Sequence, residues 1–185
     1  MHRHIAFLRA INVGGHMVKM DRLRALLAEL KFRNVETLIA SGNVIFEATT
    51  ADAEALEQRI ERHLRTSLGY EVATFLRSPA EIAAIVDHCA FPAVPPDSTD
   101  HALWVGFLKS APSATAWRRL TEMPVDGDEF HTRGREVYWL RHDGRFSDSK
   151  FSGATFEKVL SSPATFRNVT TVRKLAAKYP REAGG

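Results

Sequence analysis

The sequence predicts an α+β fold in which two split βαβ arrangements of the ferredoxin-like kind are packed together as two halves. Apolar runs and amphipathic segments alternate in the order βαββαβ up to residue 77, residues 91–100 contain three prolines, and the pattern then begins again. We therefore expect a first ferredoxin-like half with a linking helix over residues 1–90, a Pro-rich connector over 91–100, and a second half with C-terminal helices over 101–185. No sequence motif repeats between the halves, so the duplication is inferred from the order of the elements.

Hydrophobic spacing assigns the elements of the first half. Mostly apolar runs predict strands, whereas apolar residues that recur every three or four positions among charged neighbours predict helices. Gly42 and Asn43 tolerate positive φ and predict the turn of a hairpin. In chain order, the predicted elements are a strand over 4–10, a helix over 20–30, strands over 35–39 and 44–46, a helix over 52–67 and a strand over 70–77.

The clearest helix start in the sequence lies at Ser78. An N-cap serine, a proline at the first helical position (Pro79) and a glutamate at the capping-box position (Glu81) predict that a helix begins here. Cys89 falls on the apolar stripe of this helix beside Ile85, which predicts a buried and unreactive thiol.

The second half repeats the strand and helix pattern but ends in helices. Arg133 and Gly134 form the expected turn between two strands, and Asn168 is the expected N-cap of the last helix. The predicted elements are a strand over 101–108, a helix over 113–122, strands over 129–132 and 136–141, a helix over 154–160 and a helix over 168–179. No clear last strand is predicted.

Both faces of the central predicted strands are apolar. Ile5 and Phe7 alternate with Ala6 and Leu8 in the first strand, and the strand over 101–108 has the same property. Helices cover one face of such a sheet, so the other face must meet the second half of the chain or another subunit. A monomer and a homodimer both remain open.

Composition excludes several classes of protein. The chain has 185 residues, of which 44% are hydrophobic and 25% charged, as in ordinary globular proteins. Its single cysteine cannot form an intramolecular disulfide, which favours the reducing cytoplasm, and no apolar stretch approaches the roughly 20 residues of a membrane span. The eight histidines show no metal-ligand spacing, so we predict neither a metal nor a cofactor.

Positive charge is concentrated in the last third of the chain. Residues 1–130 have a net charge of −3, whereas residues 131–181 have a net charge of +7. One hypothesis is nucleic-acid binding by this region, through Arg173, Lys174, Lys178 and Arg181. No strand matches the aromatic pattern of RNA-recognition modules, and a solvated helix with cations near its C-terminal end is the alternative.

Polar and glycine-rich loops contain the candidate binding chemistry. Residues 9–15 precede a helix and suit an anion, because glycine lets backbone N–H groups approach and helix N-termini have unpaired donors. They match neither the Walker nor the dinucleotide motif, so a tight strand-to-helix turn is the alternative. Ser41 and Asn43 likewise suit a hairpin turn, and Asn168 suits a helix cap, with Arg167 able to contact an anion.

Four segments are together similar to a known family. They are residues 9–15 (RAINVGG), Lys19-Met20 ahead of a Leu-rich helix, residues 41–46 (SGNVIF) and residues 165–175 (TFRNVTTVRKL). In this order they resemble the bacterial family catalogued as domain of unknown function 1697. The resemblance implies a duplicated ferredoxin-like α+β fold in a soluble protein with no established activity.

The segments that carry the resemblance include the loop after the first strand, the turn of the first hairpin and the residues before the last helix, and binding residues concentrate in loops. We therefore expect a shared site for a small anionic ligand that bears a phosphate or a carboxylate. Its residues are Arg9, Asn12, Gly14, Gly15, Lys19, Ser41, Asn43, Arg167 and Asn168. An enzyme acting on an anionic metabolite is a further possibility, although no residue stands out as a general base.

Overall fold

A computed structural model describes residues 1–12, 15–38, 42–94, 101–123, 127–142 and 152–181. These residues form eight strands and six helices. The strands are β1 (His2–Leu8), β2 (Arg33–Leu38), β3 (Asn43–Ala48), β4 (Thr74–Arg77), β5 (Ala102–Leu108), β6 (Asp128–Arg133), β7 (Glu136–Arg141) and β8 (Ala164–Asn168). The helices are α1 (Met20–Glu29), α2 (Ala53–Leu68), α3 (Pro79–Asp87), α4 (Ala114–Thr121), α5 (Gly153–Leu160) and α6 (Val169–Lys178).

The chain divides into two compact units, and the division falls inside α3. The first unit contains Met1–Ile82 with Pro180 and Arg181, and the second contains Ala83–Tyr179. The connector over residues 91–100 stays a prediction, since residues 95–100 lie outside the described residues. The predicted α+β class is confirmed, because each unit combines a four-stranded antiparallel sheet with helices.

The sheet of the first unit has the strand order β2-β3-β1-β4. Side chains alternate along β1, so Ala6 and Leu8 point to the face on which α1 and α2 lie. There they form a core with residues of both helices, such as Leu23 and Ile60. Burial of these apolar side chains holds the helices on the sheet.

The opposite face of this sheet is buried as well. Ile5, Phe7 and Phe75 are fully buried. The alternating apolar pattern of β1 predicts this burial for Ile5 and Phe7. Arg77 is fully buried on the same face, opposite Ile5. Its Nη1 donates a hydrogen bond of 2.7 Å to the carbonyl oxygen of Leu76, which satisfies part of the buried guanidinium.

The sheet of the second unit has the strand order β6-β7-β5-β8. One face forms a core with α4 and α5 that includes Trp139 and Phe156. Gly106 in β5 lies opposite Phe166 in β8, and a Cβ atom on Gly106 would come within 2.6 Å of Cε1 of the Phe166 ring. Glycine at this position therefore lets an aromatic ring lie directly against the backbone of the central strand.

Strand β8 corrects the prediction that the second half ends without a last strand. Ala164–Asn168 pairs antiparallel with β5, so that Arg167 lies opposite Val105. The strand has only five residues, and one of its buried side chains is the cation of Arg167. A short segment with a charged residue gives no local strand signal, and β8 forms because it pairs with residues about 60 positions earlier.

Glutamates of the helices cover the outer edges of β4 and β8. Glu57 and Glu61 of α2 accept hydrogen bonds of 2.7 Å from the backbone N–H groups of Leu76 and Thr74. In the second unit, Glu157 of α5 accepts a hydrogen bond of 2.9 Å from the N–H of Ala164. These carboxylates satisfy edge donors that would otherwise be available to another strand.

The predicted capping box starts α3 as expected. The backbone N–H of Ser78 donates to Oε2 of Glu81 at 2.7 Å, and the N–H of Glu81 donates to Oγ of Ser78 at 3.2 Å. The helix ends at Asp87, however, so Cys89 lies beyond it and is exposed. The prediction of a buried thiol is wrong, because the helical spacing was extended past the end of the helix. None of the described helices is long and apolar enough to cross a membrane.

Candidate functional site

The loop after β1 meets two other segments at one end of the first unit. The backbone N–H of Leu8 donates to the carbonyl oxygen of Gly42, and the N–H of Arg9 donates to that of Ala73, both at 2.8 Å. The hydroxyl of Tyr70 donates to the carbonyl oxygen of Ile11 at 3.0 Å. The loop that was expected to bind an anion is therefore held to the β2–β3 turn and to the segment before β4.

Two asparagines predicted to orient a ligand make hydrogen bonds within these loops. Oδ1 of Asn12 accepts a hydrogen bond of 2.7 Å from the N–H of Val18 and so closes the β1–α1 loop. Nδ2 of the fully buried Asn43 donates to the carbonyl oxygen of Leu38 at 3.0 Å across the hairpin. Both side chains shape the backbone, and their contact with a ligand stays a prediction.

The remaining candidates of the first unit differ in exposure. Arg9 is half-buried, whereas Gly15 and Lys19 are exposed. Lys19 is the N-cap residue of α1 and makes no capping hydrogen bond with its side chain. Gly14 and Ser41 lie outside the described residues.

A cavity of about 250 Å³ lies elsewhere in the first unit, beside the starts of α2 and α3. Its walls include His4, which is buried and bonded through Nε2 to the carbonyl oxygen of Thr50 at 3.0 Å. Burial lowers the pKa of His4, which favours its neutral form. Glu81, which also lines this cavity, already takes part in the capping box, so these groups have structural tasks.

Arg167 and Asn168, the last two predicted site residues, lie at the end of β8 in the second unit. Nη1 of Arg167 donates hydrogen bonds of 2.8 Å to Oγ1 of Thr165 and to the carbonyl oxygen of Phe166. Burial lowers the pKa of Arg167 to about 10, at which the guanidinium is still charged at neutral pH. Oδ1 of Asn168 accepts a hydrogen bond of 2.9 Å from the N–H of Thr170 and caps α6, as the sequence predicts.

A cavity of about 370 Å³ lies in the second unit at the start of α6. Its walls come from the end of α3 and the residues after it, from β5 and β7, and from the first turns of α6. They contain both apolar and polar side chains. The lining residues are Val86, Asp87, His88, Cys89, Ala90, Phe91, Val94, His101, Leu103, Leu140, Asn168, Val169, Thr170 and Arg173.

The polar and apolar groups of this cavity come from different elements. The first turns of α6 contribute Thr170 and Arg173. Leu103 and Leu140, which lie opposite each other on β5 and β7, form an apolar surface of the sheet. A cavity of this size that combines an apolar surface with polar groups suits a small organic molecule.

Histidine rings form a further part of the wall. The ring of His88 packs against the rings of His131 and Tyr138, with centroids 5.0 Å away in both cases. Burial, together with the charges of Arg133 and His131, lowers the pKa of His88, so its ring is neutral at pH 7. Burial raises the pKa of Tyr138, whose hydroxyl donates to the carbonyl oxygen of Ile85 at 3.4 Å.

Sequence analysis identified only part of this cavity. Asn168 and Arg173 were candidates, one for an anionic ligand and the other for nucleic acid. It missed His88, Phe91 and His101 as site residues, since they belong to no functional motif. Among the described residues, no group of three or more His, Cys, Asp or Glu side chains could hold a metal ion.

The other cations proposed for nucleic-acid binding lie at the end of the chain. Lys174, Lys178 and Arg181 are exposed, whereas Arg173 is half-buried. The ammonium group of Lys178 lies 5.1 Å from the centroid of the Tyr179 ring. Because Lys174 and Lys178 are four residues apart on α6, their side chains lie on one side of the helix.

The fold and the cavity define a two-unit α+β protein with a ligand-sized cavity in its second unit. The sequence matches the family described as Protein of unknown function (DUF1697) over residues 1–138, and the chain belongs to this family. The similar segment over residues 165–175 lies beyond the matched part.

A solved structure has the same fold. The chain is similar to the conserved bacterial protein SP0830 from Streptococcus pneumoniae, with a TM-score of 0.72 and 21% identity. The similarity covers 98% of this chain and 99% of that one. Identity at this level shows a common fold and nothing about function. Among the curated proteins, none matches this sequence.

Proposed function

We propose that the protein binds a small anionic molecule that bears a phosphate or a carboxylate, and that the cavity of the second unit is its site. The observation that carries this proposal is the presence of Arg173 in the wall of a cavity of about 370 Å³. Guanidinium groups form charge-assisted and often bidentate hydrogen bonds with both kinds of anion.

The first turn of α6 adds to the attraction for an anion. Backbone N–H groups at a helix start carry partial positive charge, and Thr170 lies within the first turn of this helix. The capping Asn168 already accepts the N–H of Thr170, so we assign the main attraction to Arg173. Asp87 also lines the cavity, and its carboxylate repels an anion that approaches from the end of α3.

A phosphate titration tests this assignment. We expect inorganic phosphate to shift the backbone amide resonance of Thr170, and Arg173→Met to weaken this binding about tenfold. Arg173→Lys, which keeps the charge but not the fork of donors, should weaken it less. The double variant Lys174→Met/Lys178→Met is the matched control on the same helix and should change the affinity less than twofold. Equal losses in both variants, with unchanged melting temperatures, would show a non-specific charge effect and contradict the proposal.

A second candidate function is nucleic-acid binding through α6. It is supported by the exposure of Lys174 and Lys178 on one side of this helix. The double variant Lys174→Met/Lys178→Met tests this function, because it removes two cations that would contact nucleic-acid phosphates and leaves Arg173 intact. A short DNA duplex that binds the natural chain at low salt but not the double variant would favour this function, and no binding at low salt would exclude it.

We propose further that the two units are a ferredoxin-like duplication, followed in each case by one extra helix. Along the chain the order βαββαβα occurs twice, and the two sheets have equivalent strand orders. The last strand of each sheet also carries a buried arginine at an equivalent position, Arg77 and Arg167. Each donates through Nη1 to the carbonyl oxygen of its preceding residue, Leu76 or Phe166.

The shared loop site and the cellular location also stay proposals. The β1–α1 loop of the first unit, with Arg9, Gly15 and Lys19, is a second place where an anion could bind, supported by the uncapped start of α1. A cytoplasmic location is supported by the single cysteine of the chain.

A further inference from the structure

We propose that the ligand of the second-unit cavity is an organic anion with a flat ring, such as an aromatic phosphate monoester or an aromatic carboxylate. This inference rests on the proposed function and adds the chemical class of the ligand. It depends on the part of the cavity wall that does not carry charge.

The apolar part of the wall is larger than a free inorganic anion requires. Leu103 and Leu140 present hydrocarbon from the sheet, and Val86 and Val94 add to it from the segment around the end of α3. An inorganic phosphate or sulfate gains nothing from contact with these groups and would leave them against water. A ligand with an apolar body covers them and is attracted by the same Arg173.

Ring side chains form another part of the wall. His88, Phe91 and His101 all line the cavity. Aromatic rings prefer offset-stacked or edge-to-face partners, which favours a planar body in the ligand over a flexible aliphatic one. The neutral state of His88 at pH 7 keeps its ring free of charge and so suits contact with another ring.

These rings are held in place before a ligand arrives. The His88 ring packs against His131 and Tyr138, the Phe91 ring meets His131 edge to face at 6.5 Å, and the His101 ring meets His142 edge to face at 4.9 Å. His142 in turn contacts Glu129 through Nε2. Preorganised side chains lose little rotational freedom on binding, and therefore favour a rigid ligand of matching shape.

The test compares three anions that share one charged group. Phenyl phosphate, butyl phosphate and inorganic phosphate are titrated into the full chain, with binding read from the amide resonances of Thr170 and Leu103. We expect phenyl phosphate to bind about tenfold more tightly than butyl phosphate, and butyl phosphate more tightly than inorganic phosphate. Phe91→Leu keeps an apolar side chain but removes a ring, and should reduce the preference for phenyl over butyl phosphate to less than about threefold.

The possible results separate this inference from the function on which it rests. If butyl phosphate binds as tightly as phenyl phosphate, the inferred preference for a ring is wrong. If inorganic phosphate binds as tightly as both, the inferred preference for an organic anion is wrong. In these two cases, a tenfold loss of phosphate affinity in Arg173→Met would still support anion binding in this cavity. If none of the three anions binds at millimolar concentration, both the proposed function and this inference are wrong.

Discussion

Replacing Gly106 by alanine tests how closely β8 packs on β5. A Cβ atom at this position would lie 2.6 Å from Cε1 and 3.0 Å from Cζ of the Phe166 ring. Real Cβ atoms do not approach other atoms so closely, so the ring must move. Its freedom is limited, because it packs edge to face on the rings of Trp139 and Phe156, with centroids at 5.7 and 4.8 Å.

The expected loss follows from the cost of an extra methyl group in a packed core. Such overpacking destabilises proteins by about 1–3 kcal/mol. For a chain of this length, each kcal/mol lowers the melting temperature by about 2–4 °C, so we expect Gly106→Ala to lower it by about 2–12 °C. Urea unfolding should give a smaller free energy of unfolding at an unchanged slope.

Two further variants make this prediction specific. Gly153→Ala is the matched control: Gly153 lies at the start of α5 with nothing within 4 Å of an added Cβ, so this change should be neutral or slightly stabilising. Phe166→Leu replaces the ring that the new Cβ at position 106 would contact. In this background, Gly106→Ala should lower the free energy of unfolding by less than half as much as in the natural chain. An equal cost in both backgrounds would refute the proposed clash.

Two other predictions concern buried groups. Glu57→Ala should lower the free energy of unfolding by about 1–3 kcal/mol, because it removes the carboxylate that accepts the N–H of Leu76 at 2.7 Å. Gln58→Ala, on the exposed side of α2, should have little effect in the same urea titration. Equal losses of unfolding free energy in the two variants would contradict this account. The lowered pKa of His88 means that the folded state binds its proton less readily than the unfolded state, so its stabilising contribution is present above pH 6.5 and is lost as the pH falls below that value. His88→Asn should therefore flatten the fall in unfolding free energy as the pH drops below 6.5, and an unchanged slope would show that other groups cause this fall.

Local signals predicted the helices well because a helix is stabilised by residues that are close in sequence. The capping box of Ser78 and Glu81 and the cap of Asn168 form as expected. Local signals failed where an element depends on a distant partner. Strand β8 was missed since its pairing with β5 joins Arg167 to Val105, and the end of α3 was misjudged by extending its apolar stripe to Cys89.

The candidate site shows the same division. Asn168 was selected as a helix cap and Arg173 as one of the cations of the basic last third, and both signals are visible in neighbouring residues. The leucines of the cavity, Leu103 and Leu140, were assigned only to strands, and Phe91 only to a connector. Leu103 and Leu140 lie side by side because β5 and β7 pair, and the fold brings Phe91 to the same cavity; neighbouring residues in the sequence do not predict either contact.

By itself, the sequence determined the α+β class, the starts of the helices, the family and the uneven charge of the chain, since composition, spacing and caps act over a few neighbouring residues. The tertiary structure alone decided that β8 exists, that arginines are buried in the last strand of each sheet, and that Arg173 shares a cavity with histidine rings and leucines. These features depend on contacts between residues far apart in the chain. Their free energy comes from burial and pairing that arise only when both partners are in place.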